Sequence, residues 1–271
     1  MIRVRRSLEP LALVEVRTKK LVGCAEKAQP DSGDLKGYDA NGVKRLLFRD
    51  QHKKCAWCER RQDFSSSPIE HYRPKKGAFR NLPGEDRQIS NVHYWWLTWT
   101  WENLLFACTR CNDAAHKGNY FPLEPGSVEA KPPDGQIPDA DINSVREERP
   151  LLLNPAEDSF LRHVEWIPGN THQARRNWTW TPRGLTARGE ATIAILKLGE
   201  LADELAHHLR SVLNLVEEAE QHLCASRTVE AKDTWRKVIS YLGPEYDFTA
   251  ATWCALNRWA IPGFDLPARP E

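Results

Sequence analysis

The sequence predicts an α+β protein that is mainly helical, in which a small region rich in cysteine, histidine and tryptophan precedes a helical C-terminal part. Three observations support this prediction. Two C-x-x-C pairs lie between residues 55 and 111, an amphipathic helical pattern runs from about 186 to 224, and a stretch dense in Pro, Gly and Asp separates these regions. With 271 residues, 41% of them hydrophobic, the chain can bury a core without disulfides.

Charge and cysteine usage exclude several classes of protein. The net charge of +1 gives no general attraction to polyanions, so a nucleic-acid surface must be a local basic patch. The basic N-terminus has too short an apolar run for a secretory signal, and the uncharged stretch 89–101 is too short to span a bilayer. We therefore expect a cytoplasmic protein without membrane contact, in which the seven cysteines favour metal ligation over disulfides.

The N-terminal part is expected to cover residues 1–122. It begins with a mixed pattern and a short helix near 41–52, which leads into a cysteine-rich core at 53–122. Residues 123–150 lack periodicity and are rich in turn formers, so they are interpreted as a loop or linker.

The C-terminal part, 151–271, is expected to be helical. Apolar residues recur at spacings of three and four in the predicted helix 186–224, at Leu198, Leu201, Leu205, Leu209, Val212 and Val216. Two shorter helices are expected at 228–242 and 249–260. The apolar stripe of the long helix suits either docking of a partner or packing on the protein's own core.

The two C-x-x-C pairs indicate a structural zinc site. Cys55 and Cys58 form one pair, and Cys108 and Cys111 form the other after a gap of 49 residues. Four thiolates close the tetrahedral shell that Zn²⁺ prefers and leave no open position for catalysis. The remaining cysteines, Cys24, Cys224 and Cys254, have no partner spacing and are expected in the core.

Several polar residues stand between and just after these pairs. Glu70 and His71 are an adjacent acid and base, and Asn103 follows later. Asn112 and His116 are four residues apart, so a helix that begins at Cys111 would place both on one face. The aromatic run at 94–101 is expected to form core under the zinc site rather than to stack on bases.

Taken in order, the words "KCAWCE", "IEHYRPK", "YWWL", "WENLLFACTRCN", "KGNYFP" and "LLLNPAED" resemble the HNH endonuclease family. Within it they resemble the PtuB-like HNH subunits of Septu-type antiphage systems and the retron-associated HNH proteins. The resemblance covers residues 40–160 in detail. It implies a zinc-braced ββα-metal motif as the fold of the N-terminal part.

The resemblance also implies a role for each polar residue. His71 would be the general base that deprotonates water, and the side-chain carbonyl of Asn103 would accept a hydrogen bond from its ring. Glu70, Asn112 and His116 would hold a catalytic Mg²⁺ or Mn²⁺. An ATPase subunit, PtuA-like, is the implied partner, and the substrate would be nucleic acid, DNA rather than RNA.

Two alternatives remain open. Arg73, Lys75 and Lys76 follow the histidine and are expected to contact phosphates, although such a charge run also suits a solvated face. The rival function is a non-catalytic zinc module that binds nucleic acid or protein, for which the four cysteines suffice. The sequence does not determine the trigger of cleavage, the cation, or the stoichiometry with the ATPase.

Overall fold

The computed structural model describes residues 3–27, 30–40, 42–90, 94–132 and 145–270. Within these ranges the chain forms seven α-helices and six short strands. The helices are α1 (Leu11–Ala25), α2 (Val43–Asp50), α3 (Thr109–Asn112), α4 (Ala187–Leu196), α5 (Ala202–Cys224), α6 (Thr228–Ser240) and α7 (Thr249–Arg258). The strands are β1 (Ile69–His71), β2 (Ala78–Phe79), β3 (Ile89–Ser90), β4 (Leu104–Phe106), β5 (Val164–Gly169) and β6 (Thr179–Gly184).

The strands form three separate antiparallel pairs in the described part of the chain: β1 with β4, β2 with β3, and β5 with β6. Pairing of β1 with β4 places His71 opposite Leu104, across a connection that also contains β2 and β3. The β5–β6 hairpin lies in the part expected to be helical and was not predicted. Its alternating side chains, with Val164, Trp166 and Trp180 buried, are a period-2 signal typical of a half-buried strand.

The shorter predicted helices are confirmed as α2, α6 and α7. The single helix expected at 186–224 is wrong, because the chain forms α4, a short 3-10 turn over Leu198–Leu201, and then α5. Lys197 adopts a left-handed φ of 46°, which ends α4 and redirects the chain. The apolar spacing continues across this break, so periodicity alone did not reveal it.

One cluster of buried apolar side chains runs through the N-terminal and C-terminal parts. The aromatic run is core, as expected, with Tyr94, Trp95, Trp96, Trp99 and Trp101 all buried. The apolar stripe of α5 is also buried in this cluster, so packing on the protein's own core accounts for it. Of the unpaired cysteines, Cys24 and Cys254 are buried as expected, whereas Cys224 is exposed at the end of α5.

The two ends of the predicted linker lie together. Leu123 forms an antiparallel bridge with Pro150, and the Glu124 amide donates to the Arg149 carbonyl at 2.8 Å. Residues 133–144 of this segment lie outside the described residues. The division into parts at 122 and 150 stays a prediction, although the two parts share one core.

No α-helix in the described ranges combines the length and the apolar character needed to cross a membrane.

Candidate functional site

The polar residues picked out in the sequence meet around a unit of two strands and one short helix. β1 ends at His71, β4 runs back beside it, and two residues separate the end of β4 from the start of α3. The order strand, strand, helix is the one that the sequence resemblance implies. All three residues of each strand are buried, so the side chains at the end of β1 point into protein rather than solvent.

The four paired cysteines converge at one end of this unit. All four Sγ atoms lie within 4.8 Å of one another and are buried, and no other cluster of three or more Cys, His, Asp or Glu ligand atoms occurs in the described ranges. Cys55 and Cys58 lie in a tight turn after α2, where the Cys55 amide donates to the Arg60 carbonyl at 2.9 Å. Cys108 caps α3 by accepting a hydrogen bond from the Cys111 amide at 3.3 Å.

The dimensions of the cluster fit a zinc ion. Four sulfurs at a Zn–S distance of about 2.3 Å lie about 3.8 Å apart in a regular tetrahedron. The Sγ atoms of Cys58 and Cys108 are 3.9 Å apart. Hydrogen bonds from the Cys111, Cys55 and Cys58 thiols hold the pKa of Cys108 well below its usual range. The cluster therefore favours a thiolate, which is the form that binds metal.

The C-terminal part contacts the residues beside the four-cysteine cluster through Glu200 and Glu204. The Arg110 guanidinium contacts the Glu200 carboxylate at 2.9 Å and donates to the Lys197 carbonyl at 2.9 Å. Arg60 pairs with Glu204 at 2.6 Å. The break between α4 and α5 is thus a point of contact between the two parts. It leaves the Lys197 carbonyl available to Arg110, whereas in a continuous helix this carbonyl would accept a hydrogen bond within the helix.

His71 is held in one orientation by a backbone carbonyl. Its Nε2 lies 3.0 Å from the Thr98 carbonyl oxygen, and the Tyr38 ring packs edge-on against its ring with centroids 4.6 Å apart. The residue is 5% exposed, and burial lowers the pKa of His71 to about 3, helped by the positive charge of Lys75. The imidazole is therefore neutral at physiological pH.

Asn103 does not make the predicted hydrogen bond to the His71 ring. Its Oδ1 accepts from the Arg73 amide at 2.8 Å, and its Nδ2 donates to the carbonyls of Arg73 and Leu97, each at 3.1 Å. The prediction was wrong because the Thr98 carbonyl already binds the ring. Asn103 instead joins the segment after β1 to the segment that carries Thr98, and so fixes the ring indirectly.

Glu70 is buried and paired with a lysine. The Lys117 ammonium, fully buried, contacts the Glu70 carboxylate and donates to the His71 carbonyl. Burial raises the pKa of Glu70 and lowers that of Lys117, while their mutual attraction opposes both shifts. The role of Glu70 as a ligand to a catalytic cation stays a prediction, and in this structure a lysine ammonium occupies its carboxylate.

Asn112 and His116 follow Cys111 of the four-cysteine cluster. Asn112 is the last residue of α3, which is only four residues long, so His116 lies beyond the helix that the sequence predicted to carry it. His116 Nε2 lies 3.3 Å from the Glu200 carboxylate. Its Nδ1 is buried and has no hydrogen-bond partner among the described residues.

The three cations expected to bind phosphate have different environments. Arg73 is 6% exposed, pairs with the Glu148 carboxylate at 3.1 Å, and packs among aromatic rings. In this conformation it faces a carboxylate rather than solvent, and its phosphate contact stays a prediction. Lys75 is half-buried with its Nζ 3.8 Å from the centroid of the Tyr38 ring, and burial lowers its pKa to about 8. Lys76 is exposed, and its phosphate contact stays a prediction.

Sequence reasoning missed three residues that surround His71. Thr98 binds the ring through its backbone carbonyl, which every residue type has, so its identity gives no signal. Tyr38 contacts the ring but lies 33 residues before His71 in the chain. The position of Lys117 in the sequence gave a signal, because it directly follows His116 and lies six residues after Cys111 of the second C-x-x-C pair. Its complete burial is a tertiary property.

Two curated proteins are similar to this chain. It is 36% identical over 175 residues to the Septu protein PtuB of Bacillus mycoides strain KBAB4, which covers 61% of this chain and 55% of PtuB. It is 31% identical over 233 residues to the Septu protein PtuA of the same strain, which covers 84% of this chain and 28% of PtuA. The chain thus spans little more than half the length of PtuB and less than a third of PtuA.

No protein-family model matches the chain, and no solved structure matches it. The two matches concern sequence, and each extends over much of this chain. The chain is therefore homologous to the Septu proteins PtuB and PtuA.

Proposed function

We propose that this chain is a metal-dependent endonuclease of the HNH type, which hydrolyses phosphodiester bonds in nucleic acid, DNA in preference to RNA. We further propose that it acts in an antiphage defence complex with an ATPase. Homology to two Septu proteins supports the defence role. The observation that carries the nuclease proposal is the setting of His71.

The hydrogen bond to Thr98 determines which ring nitrogen of His71 is a base. A carbonyl oxygen only accepts hydrogen bonds, so Nε2 carries the ring proton and donates a hydrogen bond to the Thr98 carbonyl oxygen at 3.0 Å. In a neutral imidazole the other nitrogen, Nδ1, then has a free lone pair. Burial lowers the pKa of His71 to about 3, so the ring becomes an effective base only when the site opens to water. In that state the nitrogen can take a proton from a water molecule that attacks phosphorus, which is the step that a hydrolytic nuclease must assist.

The catalytic cation is proposed to bind His116, Asn112 and Glu70. His116 directs one ring nitrogen to the Glu200 carboxylate and leaves Nδ1 without a partner in the described part of the chain, an arrangement common to metal-binding histidines. A bound Mg²⁺ or Mn²⁺ supplies positive charge for the developing phosphorane and leaving group. Glu70 would serve as a ligand only if its carboxylate were released by Lys117.

Access to His71 requires a change in the segment 30–40. Tyr38 covers the His71 ring, Leu35 is buried, and the Trp99 indole donates to the Lys36 carbonyl at 3.0 Å. A phosphodiester cannot reach a side chain that is 5% exposed. We therefore assign this conformation to a resting enzyme whose site opens before cleavage.

The ATPase partner is proposed as the component that opens the site. The chain itself is similar to a segment of PtuA, and sequence similarity does not describe a contact between two proteins. The partner therefore needs a direct measurement, such as co-purification of this chain with a PtuA-like ATPase at a defined stoichiometry.

The nuclease proposal is tested by cleavage assays on the chain with and without this ATPase. Double-stranded DNA and single-stranded RNA are each incubated with Mg²⁺ or Mn²⁺, and products are resolved on denaturing gels. The His71→Ala variant should lose cleavage by about 10²- to 10⁴-fold, the usual contribution of a positioned general base. Added cation should not restore it, because the metal has a separate role.

His207→Ala is the matched control, since His207 is exposed on α5 and away from β1. It should cleave like the wild type. If the assembled complex cleaves equally well with His71→Ala, the nuclease mechanism is refuted for this residue. A complex that never cleaves, yet binds nucleic acid, would favour the non-catalytic zinc module.

A further inference from the structure

A groove beside α2 gathers four positive side chains from three parts of the chain. Arg45 and Arg49 come from α2, Lys53 from the turn that follows it, and Arg61 from the segment after the first cysteine pair. All four are exposed. Phe48 and His52 also line the groove, and the carboxylate of Glu245 is the one acidic group in its lining.

The backbone places these cations together. Arg45 and Arg49 are four residues apart on one face of α2, a spacing at which like charges repel and cost helix stability. His52 and Lys53 adopt left-handed φ angles of 52° and 64°, which turn the chain back after the helix. Arg61 is then fixed beside Lys53 by the bridge between residues 54 and 61.

Three of the four groove cations have no carboxylate partner among the described residues. Among the described residues, Arg45, Lys53 and Arg61 have no carboxylate within ion-pair distance, and Arg49 has only its neighbour Asp50. Asp50 is shared, since it also accepts from the amide and hydroxyl of Ser7, each at 2.7 Å. Some exposed arginines elsewhere, such as those at 176, 183 and 236, each contact a carboxylate within 3 Å, whereas Arg87 and Arg210 have none in the described ranges. The groove differs because its cations line one surface together.

We propose that this groove binds the sugar-phosphate backbone of a nucleic acid. Four clustered cations, of which only Arg49 has a carboxylate partner, repel one another and are stabilised by a polyanion. Three of them are guanidiniums, which suit phosphate geometrically. The overall charge is near neutral, so the attraction is local to this groove. It deepens the proposed nuclease function by assigning a substrate-binding surface other than the predicted one around Arg73.

The groove is connected to His71, the candidate base, through packed side chains and strand pairing. Phe48 of α2 packs edge-on against Phe106 of β4, with ring centroids 5.0 Å apart. β4 pairs with β1, which ends at His71. A nucleic acid held on α2 is therefore held by a rigid element that contacts the strand pair of the candidate site.

The proposal is tested with a double variant and a control of matched charge. Arg45→Ala with Lys53→Ala removes two groove cations, and Arg210→Ala with Lys232→Ala removes one arginine and one lysine from exposed positions on α5 and α6. Binding of a fluorescent 20-base-pair DNA and of a single-stranded RNA is followed by anisotropy from about 50 to 200 mM salt. No Mg²⁺ or Mn²⁺ is added, so the result is independent of cleavage.

Each phosphate contact contributes about 0.9 to the slope of log K against log salt for duplex DNA and about 0.7 for a single strand. The groove variant should therefore bind more weakly with a DNA slope reduced by about 1.8, whereas the control keeps the wild-type slope. Circular dichroism and zinc content should match the wild type for both variants, which excludes misfolding.

Equal slopes for the groove variant, the control and the wild type on both probes would overturn the proposal, as would equal losses in the two variants. The comparison of the DNA and RNA probes identifies the preferred nucleic acid. A chain that binds through this groove and never cleaves would refute the nuclease function and leave the groove assignment intact.

Discussion

The buried pair of Lys117 and Glu70 makes a quantitative prediction about stability. Lys117→Met replaces the ammonium with an apolar group of similar length and leaves the Glu70 carboxylate without its cation. Glu70 is 7% exposed and Lys117 is fully buried, so water cannot take the place of the lost partner. Removing one member of a buried ion pair typically costs about 3–5 kcal/mol.

The cost has an upper limit set by protonation of Glu70. Neutralising a carboxyl group of pKa about 4.3 at pH 7 costs about 3.7 kcal/mol, at about 1.36 kcal/mol per pH unit. The Lys117 hydrogen bond to the His71 carbonyl is lost as well, for about 1 kcal/mol. The variant should thus be less stable than the wild type by up to about 4.7 kcal/mol at pH 7.

This loss should depend on pH in a defined direction. In the variant, burial without a partner holds the pKa of Glu70 above its unfolded value, so the folded state retains a proton that the unfolded state releases as pH rises. Stability of the variant relative to wild type therefore falls as pH rises above about 4.3. At pH 5 the protonation part of the loss should be only about 1 kcal/mol.

Urea unfolding followed by tryptophan fluorescence measures the effect at pH 5, 6, 7 and 8 with zinc held constant. The chain has 11 tryptophans, many of them buried, so unfolding gives a large signal. The control is the double variant Lys117→Met with Glu70→Gln, which removes both charges and should recover most of the stability at pH 7. A loss below about 1 kcal/mol at pH 7, or one independent of pH, would refute the buried-pair reasoning.

Three further predictions follow from the site. Cys108→Ser should abolish the zinc content of about one ion per chain, measured by mass spectrometry, and unfold the region around α3, whereas Cys224→Ser, at an exposed position, should keep its zinc. Asn103→Ala removes three hydrogen bonds to buried backbone and leaves the Arg73 amide and carbonyl without their partner, whereas the Leu97 carbonyl still accepts from the Thr100 amide. The loss should cost about 3 kcal/mol, or about 6–10 °C in the melting temperature; an unchanged melting point would contradict its role as a backbone clamp. Tyr38→Ala removes the ring that covers His71 and should increase cleavage by the chain without its ATPase; a decrease would instead make Tyr38 a positioning residue of the open site.

The sequence alone determined the features that depend on spacing along the chain. C-x-x-C pairs place two sulfurs on one turn, so the convergence of Cys55, Cys58, Cys108 and Cys111 could be expected before any fold was known. Helices α6 and α7 followed from the 3.6-residue period, and the burial of the aromatic run followed from its composition. In each case the decisive interaction joins residues close in sequence or is a matter of hydrophobicity.

Tertiary structure decided which polar groups bind which. Asn103 was predicted to reach an imidazole and instead binds backbone, because a carbonyl 27 residues from His71 in sequence had already taken the ring nitrogen. Arg73 was predicted on the surface and is buried, because Glu148, 75 residues further along the chain, neutralises it. Residue types give donors and acceptors, but their pairing depends on distances of a few ångströms between segments far apart in the chain. For that reason the four-cysteine cluster could be predicted from the sequence, whereas the environment of His71 and the basic groove beside α2 could be recognised only in the folded protein.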